Sequence, residues 1–147
     1  MGSDQKIRVL VADCNHLIRE GLATLLSYEP DIEVVGDAAG APEAIELFRE
    51  HRPDIALIDL RMNGGTAVEA IETLRTEFPD GSFLVLATFP EDWEIVPALK
   101  AGAVDCLLKD TPREQIVDVI RAVYAGERPN YFLQHLHFQG SQQGFSW

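Results

Sequence analysis

Five short apolar segments alternate with five helical patterns along this chain, and this alternation restricts the fold more than any other feature. The apolar segments are rich in valine, isoleucine, leucine and alanine at consecutive positions, as is typical of parallel strands covered on both faces. We predict strands at Ile7–Ala12, Glu33–Ala38, Asp54–Ile58, Phe83–Ala87 and Val104–Leu108. Regular strand–helix alternation predicts one α/β domain with a doubly wound parallel sheet and right-handed crossovers.

Two of the helical segments carry clear start signals. Thr66 and Glu69 have the spacing of a capping box. The run from Thr111 to Glu114 combines a capping threonine, a first-turn proline and a box glutamate, and Gly126 is placed to end the helix that follows. These signals support the same alternating fold.

The fourth helical segment has the weakest pattern. Pro97 falls inside the predicted helix Asp92–Ala101, beyond its first turn, where proline removes a hydrogen bond. We therefore expect this helix to be short or bent. Trp93 stands at its start, and partial burial is the interpretation we favour over a contact with a partner.

The domain is expected to cover residues 6–127 of the 147-residue chain, a length sufficient for one real core. Residues 1–5 are interpreted as a disordered or vector-derived start. Residues 128–147 lack clear periodicity and are interpreted as an irregular tail, with a vector origin left open. Both ends are set aside in the functional argument.

Composition excludes some classes of function. The net charge of −12 opposes a phosphate backbone, so this chain alone is not expected to bind nucleic acid. There is no apolar run of membrane-spanning length and no signal-peptide core, so we expect no membrane association and a cytoplasmic location. Cys14 and Cys106 should accordingly both be reduced thiols.

Three ionisable residues follow or end predicted strands: Asp13, Asp59 and Lys109. In such sheets, ligands bind at the carboxyl ends of strands, beside the point where strand order reverses. If the order is 2-1-3-4-5, the two aspartates share a pocket that the lysine enters from the side. Two carboxylates can hold Mg²⁺, one can attack phosphorus to form an acyl phosphate, and the lysine can pair with phosphoryl oxygens.

Several stretches around these residues carry a family resemblance. They are Ile7–Asp13, Ile18–Leu22, Pro30–Gly36, Arg52–Asp54, Asp59–Met62, Ala101–Ala103 and Lys109–Asp110. The sequence resembles a bacterial two-component response-regulator receiver domain, most closely the NarL/FixJ (LuxR-type) branch, over about residues 6–126. The resemblance implies a flavodoxin-like (βα)5 fold with strand order 2-1-3-4-5.

The resemblance also implies a role for each site residue. Asp59 is the expected phospho-acceptor from a histidine kinase, and Lys109 is expected to contact the phosphoryl group. Asp13, Asp59 and the backbone carbonyl of Arg61 are expected to face Mg²⁺. The chain is then a signalling switch in transcription regulation and not a metabolic enzyme.

The resemblance further implies partners. Relatives commonly form homodimers and bind DNA through a C-terminal helix-turn-helix domain. No such domain is recognisable in this sequence, so we expect a truncated chain, with a stand-alone receiver as the less favoured alternative. DNA would be contacted only through the missing domain.

Three positions depart from the family pattern. Cys14 replaces a second acidic residue, and a thiol is a poor ligand for Mg²⁺. Ala87 replaces a serine or threonine at the end of strand four, where the adjacent Thr88 can substitute only if the backbone rotates. Cys106 replaces an aromatic switch residue. We hypothesise an atypical receiver whose Mg²⁺ binding is weak or lost, and whose phosphorylation is weak, absent or poorly coupled to output.

Two alternatives remain. One is a pseudo-receiver that acts by constitutive dimerisation or by binding a small ligand. The other is a flavodoxin-like enzyme or FMN carrier, which needs a phosphate-cradling loop after the first strand. The actual loop begins with Asp13, an acid where a phosphate would lie, so the FMN hypothesis is disfavoured.

Overall fold

The computed structural model describes residues 5–134 and contains a parallel sheet with helices on both faces. The strands are β1 (Ile7–Ala12), β2 (Ile32–Ala38), β3 (Ile55–Asp59), β4 (Arg61–Met62), β5 (Gly65–Thr66), β6 (Ser82–Ala87) and β7 (Asp105–Leu108). The helices are α1 (His16–Ser27), α2 (Ala41–His51), α3 (Ala67–Glu77), α4 (Ile95–Ala101) and α5 (Arg113–Tyr124).

The main sheet has the order β2-β1-β3-β6-β7, with every neighbouring pair parallel. Counted over these five strands alone, this is the predicted order 2-1-3-4-5, and the flavodoxin-like arrangement is confirmed. The short strands β4 and β5 form a separate antiparallel ribbon directly after β3. The sequence analysis missed this ribbon because two-residue strands leave no alternating pattern.

The core consists of two clusters, one on each face of the sheet. Helices α2, α3 and α4 cover one face, where Phe48 packs against Phe83 with ring centroids 5.4 Å apart. Helices α1 and α5 cover the other, with Leu26 and Ile120 fully buried. Burial of each such side chain contributes roughly 1.5–3 kcal/mol. Both faces of the strands are apolar because helices cover both faces of the sheet, as the sequence analysis predicted.

The capping box predicted at the start of α3 is confirmed. Thr66 Oγ1 accepts a hydrogen bond from the Glu69 backbone N–H at 3.3 Å. In return, Glu69 Oε1 accepts one from the Thr66 backbone N–H at 3.0 Å. This reciprocal pair satisfies two donors that would otherwise lack partners and directs the chain out of the β4–β5 ribbon.

The predicted cap of α5 was wrong. Pro112, with an extended ψ of 148°, occupies the N-cap position, and the helix has no side-chain cap. Thr111 lies one residue further out and is largely buried. The expected end is confirmed, since α5 stops at Tyr124 and Gly126 adopts a left-handed φ of 87°.

Helix α4 has seven residues and begins at Ile95, three residues later than predicted. Pro97 is therefore its third residue, within the first turn, where a missing N–H breaks no intrahelical bond. The expectation of a short helix is confirmed. Trp93 precedes the helix and is 74% exposed, so the partial burial we favoured was wrong.

The described residues that follow α5 pack against the domain. Residues 131–134 form a helical turn, and Phe132 is buried in the core. The carboxylate of Asp105 accepts hydrogen bonds from the backbone N–H groups of Tyr131 at 2.7 Å and Phe132 at 3.0 Å. This differs from the irregular tail predicted from residue 128, while residues 1–4 and 135–147 lie outside the described range. No helix within residues 5–134 has the length and apolarity needed to cross a membrane.

Candidate functional site

The two predicted carboxylates come from neighbouring strands. In the pairing of β1 with β3, Ala12 lies opposite Ile58, so the next residues along each strand are Asp13 and Asp59. The backbone N–H of Asp13 donates to Ala38 O at 3.0 Å, which continues the pairing of β1 with β2. Sheet register therefore places both acids at the same carboxyl edge. Asp13 is completely buried and Asp59 is 7% exposed.

Lys109 joins them from the end of β7. Its backbone N–H donates to Ala87 O at 2.9 Å, which fixes the residue beside the end of β6. Its Nζ lies 3.0 Å from Asp13 Oδ2 and 3.2 Å from Asp59 Oδ1. The structure thus brings together the three side chains that the sequence placed at strand ends.

The four carboxylate oxygens have different surroundings. Asp13 Oδ1 accepts the backbone N–H of Asn15 at 2.8 Å, and Asn15 in turn caps α1. Asp13 Oδ2 is buried, and its one partner within the described part of the chain is the Lys109 ammonium at 3.0 Å. Asp59 Oδ1 faces Lys109, whereas Asp59 Oδ2 faces the thiol of Cys14. Each of the four carboxylate oxygens therefore already has a partner, and Asp59 Oδ2, which faces the thiol, has the weakest one.

Burial and repulsion act together on Asp59. Burial raises the pKa of this carboxyl group, and the neighbouring Asp13 charge raises it further. Attraction from Lys109 and a backbone hydrogen bond at Arg61 act in the opposite direction without reversing the shift. For Lys109, burial lowers the pKa, but bonding to Asp13 and the two negative charges outweigh it, so the pKa is raised. Lys109 is therefore a stable cation between two acids.

Cys14 lies at the open side of this pocket and is exposed. Its Sγ is 3.8 Å from Asp59 Oδ2 and 3.7 Å from the backbone carbonyl oxygen of Arg61. One donor atom from each of Asp13, Cys14 and Asp59 lies within 4.8 Å of the others. The carbonyl of Arg61 thus reaches the pocket, as expected, but a sulfur atom stands beside it.

The side chain of Arg61 makes contacts that the sequence analysis missed. Its guanidinium forms two hydrogen bonds with Asp92, at 2.5 and 2.9 Å, and an ion pair with Glu94 at 2.8 Å. Both acids lie in the connection between β6 and α4. Acidic residues around position 92 were the available signal, but their partner is 31 residues away in sequence.

The remaining candidate residues lie around the pocket without contacting the acids. Ala87 is buried at the end of β6, and Thr88 is exposed, with no side-chain hydrogen bond in the described range. Cys106 is fully buried in the core on the side of α4. Burial, followed by the charges of Asp105 and Asp92, raises the pKa of Cys106 to about 12, so this thiol is inert.

The donor set can be compared with the needs of a divalent cation. Asp13, Asp59 and the carbonyl of Arg61 supply oxygen ligands, which suit Mg²⁺. The observation that fits an ion is the buried Asp13 Oδ2, which has Lys109 as its one partner in the described range and keeps a lone pair for a cation. The thiol of Cys14 is the one donor in the group that does not suit Mg²⁺.

The chain was compared with known proteins. Residues 9–121 match the family described as the response regulator receiver domain. The transcriptional regulatory protein LiaR of Bacillus subtilis (strain 168) is 40% identical over 121 residues, which is 82% of this chain and 57% of LiaR. The chain therefore spans little more than half the length of this relative.

Solved structures give the same result. A signal receiver domain of a response regulator called NarL, from Mycobacterium tuberculosis, has 34% identity and a TM-score of 0.79, covering 84% of this chain and 99% of that one. A LuxR-family two-component response regulator from Aurantimonas sp. SI85-9A1 has 31% identity and a TM-score of 0.78, covering 84% and 89%. With its flavodoxin-like sheet and strand-end acids, this chain belongs to the response regulator receiver domain family.

Proposed function

We propose that this chain is the cytoplasmic signal-input domain of a transcriptional response regulator, in which Asp59 accepts a phosphoryl group from a histidine kinase. The observation that carries the proposal is the position of Lys109 Nζ, 3.0 Å from Asp13 and 3.2 Å from Asp59. A cation held between two acids can pair with a phosphoryl oxygen once one acid has reacted.

The chemistry follows from this arrangement. A carboxylate oxygen of Asp59 forms a bond to phosphorus as the bond between phosphorus and the donor's leaving atom breaks. Lys109 stays protonated, since its pKa is raised, and offsets charge on the transferred group. Asp13, Asp59 and the carbonyl of Arg61 are the residues that would hold Mg²⁺, which supplies further charge neutralisation when bound.

We further propose that this pocket is atypical. A thiol at Cys14 instead of a carboxylate favours weak Mg²⁺ binding. Ala87 offers no hydroxyl to a phosphoryl group, and the exposed Thr88 can replace it only after a backbone rotation. The small, buried Cys106 cannot act as an aromatic switch. Phosphorylation is therefore expected to be slow and weakly coupled to output.

Intact mass spectrometry tests the proposal. The chain is incubated with acetyl phosphate over a series of Mg²⁺ concentrations, together with Asp59→Asn and Cys14→Asp variants. We expect wild type to gain one phosphoryl group only at high Mg²⁺, Cys14→Asp to gain it at lower Mg²⁺, and Asp59→Asn to gain none. A wild type and a Cys14→Asp variant that both stay unmodified contradict phosphorylation at Asp59. Equal Mg²⁺ dependence of the two contradicts the atypical pocket.

The second candidate function is a pseudo-receiver that signals as a constitutive homodimer. The ion pairs of Arg61 with Asp92 and Glu94 favour it, because they hold the β6–α4 connection in place without a phosphoryl group. Binding of a small ligand beside Lys109 is less favoured, because the cavity there, next to Leu22, measures about 170 Å³, below the ~300 Å³ of ordinary ligand pockets. In either function, the net charge of −12 makes this chain itself unsuited to DNA contact.

A further inference from the structure

We propose that residues 130–134 form a latch, a short segment that closes over the start of β7 and opens while the rest of the domain stays folded. Opening of the latch uncovers the free side of this edge strand and the buried thiol of Cys106. Neither phosphorylation of Asp59 nor a bound metal is needed for this movement.

The latch straddles an edge of the sheet, because β7 is the last strand in the order. Tyr131 packs against the core cluster on the side of α1 and α5, and its hydroxyl donates a hydrogen bond to Gln115 Oε1 at 2.5 Å. Phe132 is buried in the cluster on the other face of the sheet, which also contains Cys106. Two adjacent residues therefore cover the edge from both faces, and the closed latch shields Cys106 from solvent.

A buried acid of β7 holds the latch closed. Asp105 Oδ2 accepts the backbone N–H of Tyr131 at 2.7 Å, and Asp105 Oδ1 accepts that of Phe132 at 3.0 Å. These N–H groups begin a helical turn and lack partners within it, so the carboxylate acts as their cap. Asp105 Oδ1 also accepts the backbone N–H of Cys106 at 2.8 Å. Because this last bond lies within β7, the carboxylate keeps its position when the latch opens and can bind the latch again.

The connection between α5 and the latch leaves the latch free to move. Residues 125–128 are all exposed, and the backbone hydrogen bonds that continue α5 reach as far as Glu127, which donates to Ala122 O at 2.9 Å. The latch closes its own turn, with Gln134 N–H donating to Asn130 O at 3.2 Å. Asn130 has a left-handed φ of 54°, which costs energy in a residue other than glycine. The latch is thus one turn on an exposed hinge, and a segment with few buried contacts opens separately from the core.

The thiol of Cys106 reports this opening. It is fully buried, and burial raises its pKa to about 12, so alkylation requires that the thiol first be exposed. The full chain with Cys14→Ser, which leaves Cys106 as its one thiol, is treated with iodoacetamide under native conditions and followed by intact mass. Adding Phe132→Ala should speed the modification by about tenfold or more, and Phe132→Leu should have a smaller effect. Leu133→Ala, which removes the exposed neighbour on the same turn, should change the rate by less than about twofold. Equal rates in Phe132→Ala and Leu133→Ala overturn the proposal.

The urea dependence of the same reaction separates local opening from global unfolding. Local opening exposes little surface, whereas global unfolding exposes nearly all of it, so only the second is strongly promoted by urea. We expect the rate in Phe132→Ala to stay nearly constant at urea concentrations below the unfolding transition, which circular dichroism locates. Leu26→Ala, which removes a fully buried side chain from the other face of the sheet, should keep the slow rate of the Cys14→Ser parent in the absence of urea. A rate that rises steeply from zero urea, or a Leu26→Ala variant as fast as Phe132→Ala, means that only global unfolding exposes Cys106 and overturns the latch.

Discussion

The carboxylate of Asp59 is largely enclosed by protein and faces a second carboxylate, that of Asp13. Burial first, and then repulsion from Asp13, raises its pKa above the ordinary value of 3.8. A carboxyl group whose pKa is higher in the folded state binds its proton more tightly there, so it favours folding in acid. That contribution is fully present below pH 3.8 and is lost as the pH rises through the raised pKa.

Asp59→Asn is therefore expected to be more stable than wild type at pH 7, because it removes a buried charge that repels Asp13. The gain should lie in the range of about 0.5–2 kcal/mol found for stabilising substitutions. Urea unfolding at pH 7 and at pH 3 measures it, and the difference should vanish at pH 3, where both side chains are neutral. The exposed Asp80→Asn serves as control, with no change expected. A wild type as stable as Asp59→Asn at pH 7 contradicts this account.

Individual site residues could be predicted to different degrees. Asp13, Asp59 and Lys109 each adjoin an apolar strand, and strand ends are visible in the sequence. The side-chain contacts of Arg61 were not predictable, because Asp92 and Glu94 approach it only after β3 and β6 have paired. A short-range pattern contains no information about that pairing.

At the scale of elements, Arg61 joins two connections of the fold. It lies in β4, just after β3, and its guanidinium binds acids in the segment between β6 and α4. The side chains of Asp92 and Glu94 are 9% and 11% exposed, so they depend on this cation for charge pairing. The hydrogen bond from Arg61 is the main cause of the lowered pKa of Asp92.

Arg61→Ala should lower the midpoint of thermal unfolding at neutral pH by roughly 2–6 °C. The lowered pKa of Asp92 stabilises the fold above pH 3.8, and this contribution is lost as the pH falls through that lowered pKa. The difference between wild type and variant should therefore shrink in acid. Arg61→Lys, which keeps the charge but cannot bind Asp92 through two nitrogens, should fall between them. A constant difference from pH 7 to pH 2 would argue against the ion pairs.

Asp105 joins β7 to the helical turn at residues 131–134. Its carboxylate is 3% exposed and accepts the backbone N–H groups of Cys106, Tyr131 and Phe132. Asp105→Ala leaves these donors without acceptors and is expected to lower the free energy of unfolding by about 1–3 kcal/mol. Hydrogen exchange should show lost protection at Tyr131 and Phe132, whereas Asp105→Asn, which keeps one acceptor oxygen, should lose less. Unchanged exchange at both amides in Asp105→Ala would contradict this role.

Elements could be predicted where their signals are local. The capping box of Thr66 and Glu69 lies within one turn, and the strands are continuous apolar runs, so both were predictable. The turn at residues 131–134 was not, because the acid that holds it is 26 residues earlier in the chain. The start of α4 shifted because Asp92 and Glu94 bind Arg61 in the connection that precedes the helix.

For the molecule as a whole, net charge opposes self-association, whereas exposed apolar surface favours it. A net charge of −12 makes two copies repel, and phosphorylation of Asp59 would add only about −0.5 to −1 more, because the phosphate charge of about −1.5 to −2 replaces the carboxylate charge of −1. Phe89, Trp93 and Val96 are 59%, 74% and 54% exposed and lie within eight residues of one another in the segment that Arg61 anchors. We propose this segment as the dimer contact, so dimerisation should strengthen as salt screens the repulsion.

Light scattering on the 16.3 kDa chain measures this balance. If dimerisation follows phosphorylation, acetyl phosphate with Mg²⁺ should raise the mass toward two chains in wild type, more so at higher ionic strength, and should leave Asp59→Asn monomeric. Trp93→Ala should weaken the dimer, and Leu17→Ala, which removes an equally exposed apolar side chain on α1, should not. An Asp59→Asn variant that is already dimeric without a phosphodonor would favour the pseudo-receiver, because the contact would then form without a phosphoryl group at position 59. If dimer formation changes neither with salt concentration nor in Trp93→Ala, the contact lies on another face.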